Sequence, residues 1–314
     1  MTAVSNTVLE VRDVHKTFRI GFFRKRIQAV SGISFKIERG EMLGFVGPNG
    51  AGKTTTMKMI LQLIFPTSGS ITLFDMPTGD PRARARLGYL PENPYIYSYL
   101  RPLEFLDLCG RLVGLDGRER RKRSIELTGK LGLSHALDRP VGKFSKGMMQ
   151  RLGFCQALLH DPELLILDEP FSGLDPVGRK DIRDTLLEQR AAGKTLLMTS
   201  HVLNDVETLC DHVAIVQRGK LVAAGKLHDL LKPEVRRVEI ELDNVSPGLA
   251  DKLRVQAMTL RELHGHTFVV VEGDANVPGM LKLAIEEGAQ VHAVIPHRET
   301  LEDLFVRKAV TEAA

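Results

Sequence analysis

Apolar and polar residues alternate at residues 8–11 (VLEV) and 29–37 (AVSGISFKI), and Met42–Val46 (MLGFV) is almost wholly apolar. These patterns predict short strands in a β-rich opening segment. The intervening GFFRKRI, residues 21–27, reads as a hairpin tip or an insertion. From Lys53 the spacing turns helical (TTTMKMILQLI) and stops before Pro66. Three more helical stretches follow between about residues 100 and 160: LEFLDLCGRLVGL, RERRKRSIELTGKLGL and KGMMQRLGFCQALLH, separated by Gly and Pro. The short apolar runs LLILDE (164–169), TLLMTS (195–200) and HVAIVQRG (212–219) have the character of parallel strands buried on both faces. The expected fold is an α/β sheet domain carrying a helical insertion.

Beyond Gly225 and Pro233 the pattern changes to EVRRVEIELD, a helical PGLADKLRVQ, a strand pair LRELHGHTFVVVEG, a helix VPGMLKLAIEEG and a strand QVHAVIPHR. This βαββαβ order predicts a small two-layer α+β domain over residues 235–314, closed by the helix TLEDLFVRKAV. The boundary is expected between residues 230 and 235, after a first domain over residues 6–230.

Composition adds limits rather than features. A length of 314 residues is enough for about two ordinary domains. With 43% hydrophobic and 26% charged residues the chain is of globular type, which excludes collagen, coiled-coil and disordered classes. No apolar stretch approaches the ~18 to 20 residues that span a bilayer, and MTAVSNTVLE does not resemble a secretory signal. Cys109, Cys155 and Cys210 are odd in number and lack CxxC spacing, so free thiols in a reducing, cytosolic compartment are expected. A net charge of +4 does not require a nucleic-acid partner, and none is expected. The basic clusters at residues 24–26, 82–86 and 118–123 read as solvated surface.

The chemistry is concentrated in a few segments. Gly47-Pro48-Asn49-Gly50-Ala51-Gly52-Lys53-Thr54, followed by Thr55, satisfies GxxxxGK[ST] between a predicted strand and a predicted helix. Its glycines let backbone N–H groups converge on phosphate oxygens, and the helix N-terminus adds a positive potential. Lys53 would reach the β/γ-phosphates, and the Thr54 hydroxyl would ligate Mg²⁺. Asp168 ends the apolar run 164–167 where a parallel sheet binds ligands, so it can hold Mg²⁺ through water. Side chains alternate along a strand, so the adjacent Glu169 points elsewhere, free to orient or deprotonate an attacking water. Taken alone, that segment is also an ordinary strand end. His201 follows the strand TLLMTS, where a hydrogen-bonded structural histidine or a γ-phosphate contact would both fit. Ser145, ahead of KGMMQR, is a natural helix N-cap, and Gly147 allows close backbone approach.

In this order the segments GPNGAGKTT, FSKGMMQR, LLILDEP, SGLD and His201 resemble the ATP-binding cassette ATPases, over roughly residues 6–230. The resemblance implies a P-loop NTPase cassette with a mixed sheet and a helical subdomain at about residues 95–160. It further implies that ATP and Mg²⁺ are bound, that Glu169, His201, Lys53 and Glu92 serve catalysis, and that Thr54, Glu92 and Asp168 surround the metal. Ser145 and Gly147 would contact the γ-phosphate on a second subunit, and Asp175 ends the SGLD loop beside it. Phe18 matches the family's adenine-stacking aromatic, although a simple core Phe is the alternative.

Two residues depart from the family pattern. Lys146 stands where a glycine is usual in the signature and adds a charge, and Glu92 replaces a usual glutamine while keeping an oxygen ligand. Both variants, with the C-terminal LEDLF, are similar to the ATPase subunits of type-2 exporters. One copy of each motif implies pairing with a second ABC ATPase, identical or related. The lack of a spanning segment implies a separate membrane permease, docked at the helical region on the cytoplasmic face. A soluble cassette acting on ribosomes or DNA is the rival reading, but two cassettes or a long coiled-coil insertion do not fit in this length. A non-catalytic regulator would be expected to lack Glu169.

Overall fold

The computed structural model describes residues 6–20, 25–231 and 235–311. The expected hairpin tip lies at residues 21–24, outside the described residues. The chain divides into two compact units, residues 1–227 and 228–314.

The first unit holds two sheets. Thr7–Ile20 and Lys25–Glu38 are long antiparallel partners, and Ser68–Leu73 and Met76–Pro77 extend the sheet on the Thr7–Ile20 side. The second sheet runs Lys220–Lys226, His212–Gln217, Met42–Val46, Thr195–Ser200, Leu164–Leu167, Leu87–Leu90. Its strands are parallel apart from the antiparallel Lys220–Lys226. Every residue of Met42–Val46, Leu164–Leu167 and Thr195–Ser200 is buried, the expected result for strands covered on both faces. Only the strand ends can then present chemistry to solvent.

The helix after the glycine-rich loop spans Lys53–Ile60 and stops short of the expected Pro66. Gln62 takes a left-handed backbone with φ 56°, and Leu63 N donates to Lys58 O at 2.9 Å. This closing turn ends the helix although the apolar pattern runs on through Leu63 and Ile64. Helices Pro102–Leu112, Gly117–Lys130 and Lys146–Leu158 lie between the strands Leu87–Leu90 and Leu164–Leu167, and Asp116 and Ser145 cap the latter two. Cys109, Cys155 and Cys210 are free thiols, and burial pushes all three upward in pKa.

The second unit follows the βαββαβ order. Its antiparallel sheet runs Thr259–Leu263, His266–Glu272, Val235–Asp243, Gln290–Arg298, the ferredoxin-like arrangement. Val238, Ile240, Leu242, Val269 and Val271 pack on Leu249 and Leu253 of helix Pro247–Gln256 and Met280 of helix Val277–Glu286.

Candidate nucleotide site

The site lies at the carboxyl ends of the parallel strands. A cavity of about 240 Å³ is lined by Ala29, Pro48, Asn49, Gly50, Gly52, Lys53, Thr54, Thr55, Glu92, Glu169 and His201. Two glycines make the loop possible. A methyl group on Gly47 would lie 2.1 Å from the Val216 carbonyl oxygen, and one on Gly52 would lie 2.6 Å from the Ala29 carbonyl oxygen. Gly52 also has φ 102°, a conformation that side chains oppose. Gly52 is the N-cap of helix Lys53–Ile60, and no side chain caps that helix. Its first N–H groups are thus left for an external acceptor, and the helix dipole favours an anion there.

Lys53 is 7% exposed, with Nζ donating to Gly47 O at 2.6 Å and standing 3.7 Å from Glu169 Oε1. Glu169 Oε2 lies 2.8 Å from His201 Nδ1. An ionised carboxylate only accepts, so Nδ1 carries the proton and Nε2 is left for another partner. Glu169 has φ 49°, an unfavourable backbone state for a non-glycine residue, at a cost of order 1 to 3 kcal/mol. Two bonds hold it there: its N–H donates to Thr199 Oγ1 at 2.9 Å, and its carbonyl accepts from Ser172 N at 3.0 Å.

Asp168, 2% exposed, accepts from Thr199 Oγ1 at 2.6 Å. Burial pushes its carboxyl above the ordinary carboxylate range and the charge of Glu92 adds to this, while hydrogen bonds from Thr199 and Thr54 and the Lys53 charge oppose it. Asp168 joined to the Thr54 hydroxyl, with Glu92 nearby, is an all-oxygen donor set that suits a hard divalent cation.

The structure thus brings Pro48, Asn49, Gly50, Gly52, Lys53, Thr54, Thr55, Glu92, Glu169 and His201 to one lining, with Gly47 and Ala51 buried in the loop and Asp168 beneath. Phe18, Ser145, Gly147 and Asp175 are not part of it. Phe18 pairs with Ile27 in the hairpin, under the Lys16 ammonium. Ser145 caps helix Lys146–Leu158, and Asp175 caps helix Pro176–Ala191 by accepting from Gly178 N. Within its own chain Lys146 donates to Ser172 Oγ at 3.2 Å. Sequence reasoning missed Thr199 and Ala29. Thr199 had a signal, since it is one of the two polar residues that end the strand TLLMTS.

A parallel sheet with a glycine-rich loop, a buried lysine and two carboxylates at its strand ends defines a P-loop nucleotide-binding cassette. The family model for ABC transporters matches residues 30–172. An uncharacterised ABC transporter ATP-binding protein of Synechocystis sp. is 36% identical over 308 residues, 97% of this chain and 85% of its own. The Nod factor export ATP-binding protein I of Ralstonia nicotianae is 36% identical over 287 residues, 88% of each chain. A solved ATP-binding subunit of an ABC transporter superposes with a TM-score of 0.64 and 34% identity, over 71% of this chain and 91% of its own. The cassette MJ0796, solved as a dimer in a post-hydrolysis state with ADP and Pi, shares the fold at 24% identity and a TM-score of 0.65, over 70% of this chain and 99% of its own. The chain belongs to the ATP-binding proteins of ABC transporters.

Proposed function

We propose that this chain binds and hydrolyses ATP with Mg²⁺, as one of two paired ATPase subunits that drive a separate membrane permease of the export type. The observation that carries the reading is the convergence of Lys53, Glu169 and His201 on the glycine-rich loop, with Asp168 and Thr54 joined beside them. The loop N–H groups and Lys53 would bind and orient the β/γ-phosphates, and Thr54, Asp168 and Glu92 would hold the cation. Mg²⁺, when bound, neutralises charge on the phosphoryl oxygens. Glu169 would take the proton of the attacking water, and His201, held by its Nδ1 bond, would present Nε2 to the γ-phosphate. Phe18 is assigned to adenine contact, given its place on the strand paired with the one that carries the cavity residue Ala29.

Ser145, Gly147 and Asp175 stand outside the cavity of their own chain, which supports a role toward a partner's nucleotide in a homodimer or heterodimer. Among the described residues no helix is long and apolar enough to cross a membrane, so the transport pathway is assigned to permease subunits. The helical segment at about residues 95–160 is taken as the docking side, which would place the chain at the cytoplasmic face of the membrane. Export follows the Ralstonia relative, a Nod factor export ATP-binding protein. No nucleic-acid partner is assigned.

Glu169→Gln tests the reading. Loss of the general base should lower turnover by about 10² to 10⁴-fold while ATP binding persists. Phosphate release at the wild-type rate would remove Glu169 from the assigned role.

A further inference from the structure

Helix Lys146–Leu158 grips the segment that follows Glu169 at three points. Lys146 Nζ donates to Ser172 Oγ at 3.2 Å, Gln150 Nε2 donates to Pro170 O at 3.3 Å, and Arg151 Nη2 lies 3.6 Å from Asp175 Oδ1. Lys146 and Gln150, four residues apart, share one helix face, and Arg151 flanks it. The Lys146 stem also lies on Gly173, where a methyl group would come within 2.5 Å of its Cδ. Gly173 has φ 72°, and any side chain there would displace the lysine.

Ser172 is also the residue whose N–H donates to the carbonyl of Glu169 at 3.0 Å. Lys146 therefore reaches the strained Glu169 backbone through one residue. Thr199 secures that backbone from the N–H side and Ser172 from the carbonyl side. The Thr199 tie comes from within the sheet; Lys146 secures the other from the helix that Ser145 caps.

We propose that Lys146 is a positioning residue for Glu169: by holding Ser172 it fixes the turn 169–172 and links the carboxylate mechanically to the turn carrying Ser145 and Gly147. The consequence for turnover rests on the hydrolytic reading above; the fixing of the turn does not. The link predicts a change in turnover without a change in the affinity of the single chain for nucleotide, since Lys146 lines no part of that chain's own cavity.

The test uses the full chain and five variants: Lys146→Ala, Lys146→Met, Lys146→Arg, Ser172→Ala and the double alanine variant. Lys146→Met keeps the stem over Gly173 but has no donor. In nucleotide-free protein, amide exchange at residues 169–175 should quicken by about two- to tenfold in Lys146→Ala, Lys146→Met and Ser172→Ala, the range for loss of one hydrogen bond. Lys146→Arg should restore it. In the ATPase assay the same three variants should lower kcat by a similar factor with ATP affinity unchanged, and the double variant should fall no further than either single one.

Unchanged exchange at 169–175 in Lys146→Ala overturns the proposal, as do single-variant effects that multiply in the double variant. A fall in ATP affinity with normal exchange also overturns it, because Lys146 would then act on nucleotide. Wild-type protein that hydrolyses no ATP would instead overturn the functional reading, leaving the exchange arm to decide on the tie.

Discussion

The two units use their sheets in opposite ways. In the first, the central strands are buried along their whole length, so polar side chains have only the strand ends to occupy. Lys53, Glu169 and His201 therefore converge on a cavity of about 240 Å³, with Asp168 adjoining Glu169. In the second, helices cover one sheet face and the other is open. That open face carries a larger concavity of about 840 Å³, lined in part by Arg237, Glu239, Arg261, Phe268 and Val270. Its charges are spread along two strands, Arg237 and Glu239 on Val235–Asp243 and Arg261 and Glu262 on Thr259–Leu263. Volume is thus a poor guide to chemistry, and convergence of ionisable groups on backbone donors is a better one.

Whether the two units keep separate cores is tested by a core deletion in the second. Ile240 is 1% exposed in the centre of that sheet, and Ile240→Ala should cost about 2 to 5 kcal/mol. Thermal unfolding should then show an earlier transition confined to residues 228–314, with ATP affinity unchanged. Loss of nucleotide binding in parallel would join the two units energetically.

A smaller effect is expected from the converse change. Lys53→Ala removes a buried ammonium whose hydrogen bonds to charged oxygens are worth about 1.5 to 3 kcal/mol, or roughly 10- to 150-fold in nucleotide affinity. Titration of the variant with ATP reads this directly, and wild-type affinity would overturn the phosphate-loop assignment. The second unit should keep its unfolding temperature.

What was legible beforehand follows the same division. The glycine-rich loop, the apolar strands 164–167 and 195–200 and the βαββαβ order are encoded in local spacing, and all were readable. Local spacing does not report which strand lies beside which. Thr199 reaches Asp168 only because Thr195–Ser200 pairs with Leu164–Leu167, a contact across 31 residues of sequence. The left-handed backbone of Glu169 was invisible for a related reason, since a glutamate is tolerated there only through Thr199 and Ser172. Helix Pro176–Ala191 was missed although Asp175-Pro176 is a ready start signal, because the SGLD segment was read only as a loop.

The smallest predicted effect lies at the opposite end of the same strands and separates fold from function within the first unit. Glu163, just before Leu164–Leu167, receives Arg86 Nε and Nη2 at 2.6 and 2.8 Å and Arg39 Nη1 at 2.7 Å. Arg86 itself lies over the Phe74 ring, 3.7 Å from its centroid. The Arg86 hydrogen bonds, with help from Arg39, draw the Glu163 carboxyl from its ordinary 4.5 to about 2. A carboxylate with a lowered folded pKa contributes stability that is complete above its unfolded value and is lost as pH falls toward the folded one. The window here runs from about pH 4.5 down to about 2. The Glu163 side chain is 37% exposed, so solvent screening holds the contribution to about 1 kcal/mol or less. Glu163→Gln should therefore lower the denaturant midpoint slightly at pH 7 and flatten its decline on acidification, with ATP turnover unchanged. A variant whose midpoint still falls as steeply as the wild type between pH 4.5 and 2 would show that other carboxylates set the acid limit of this unit.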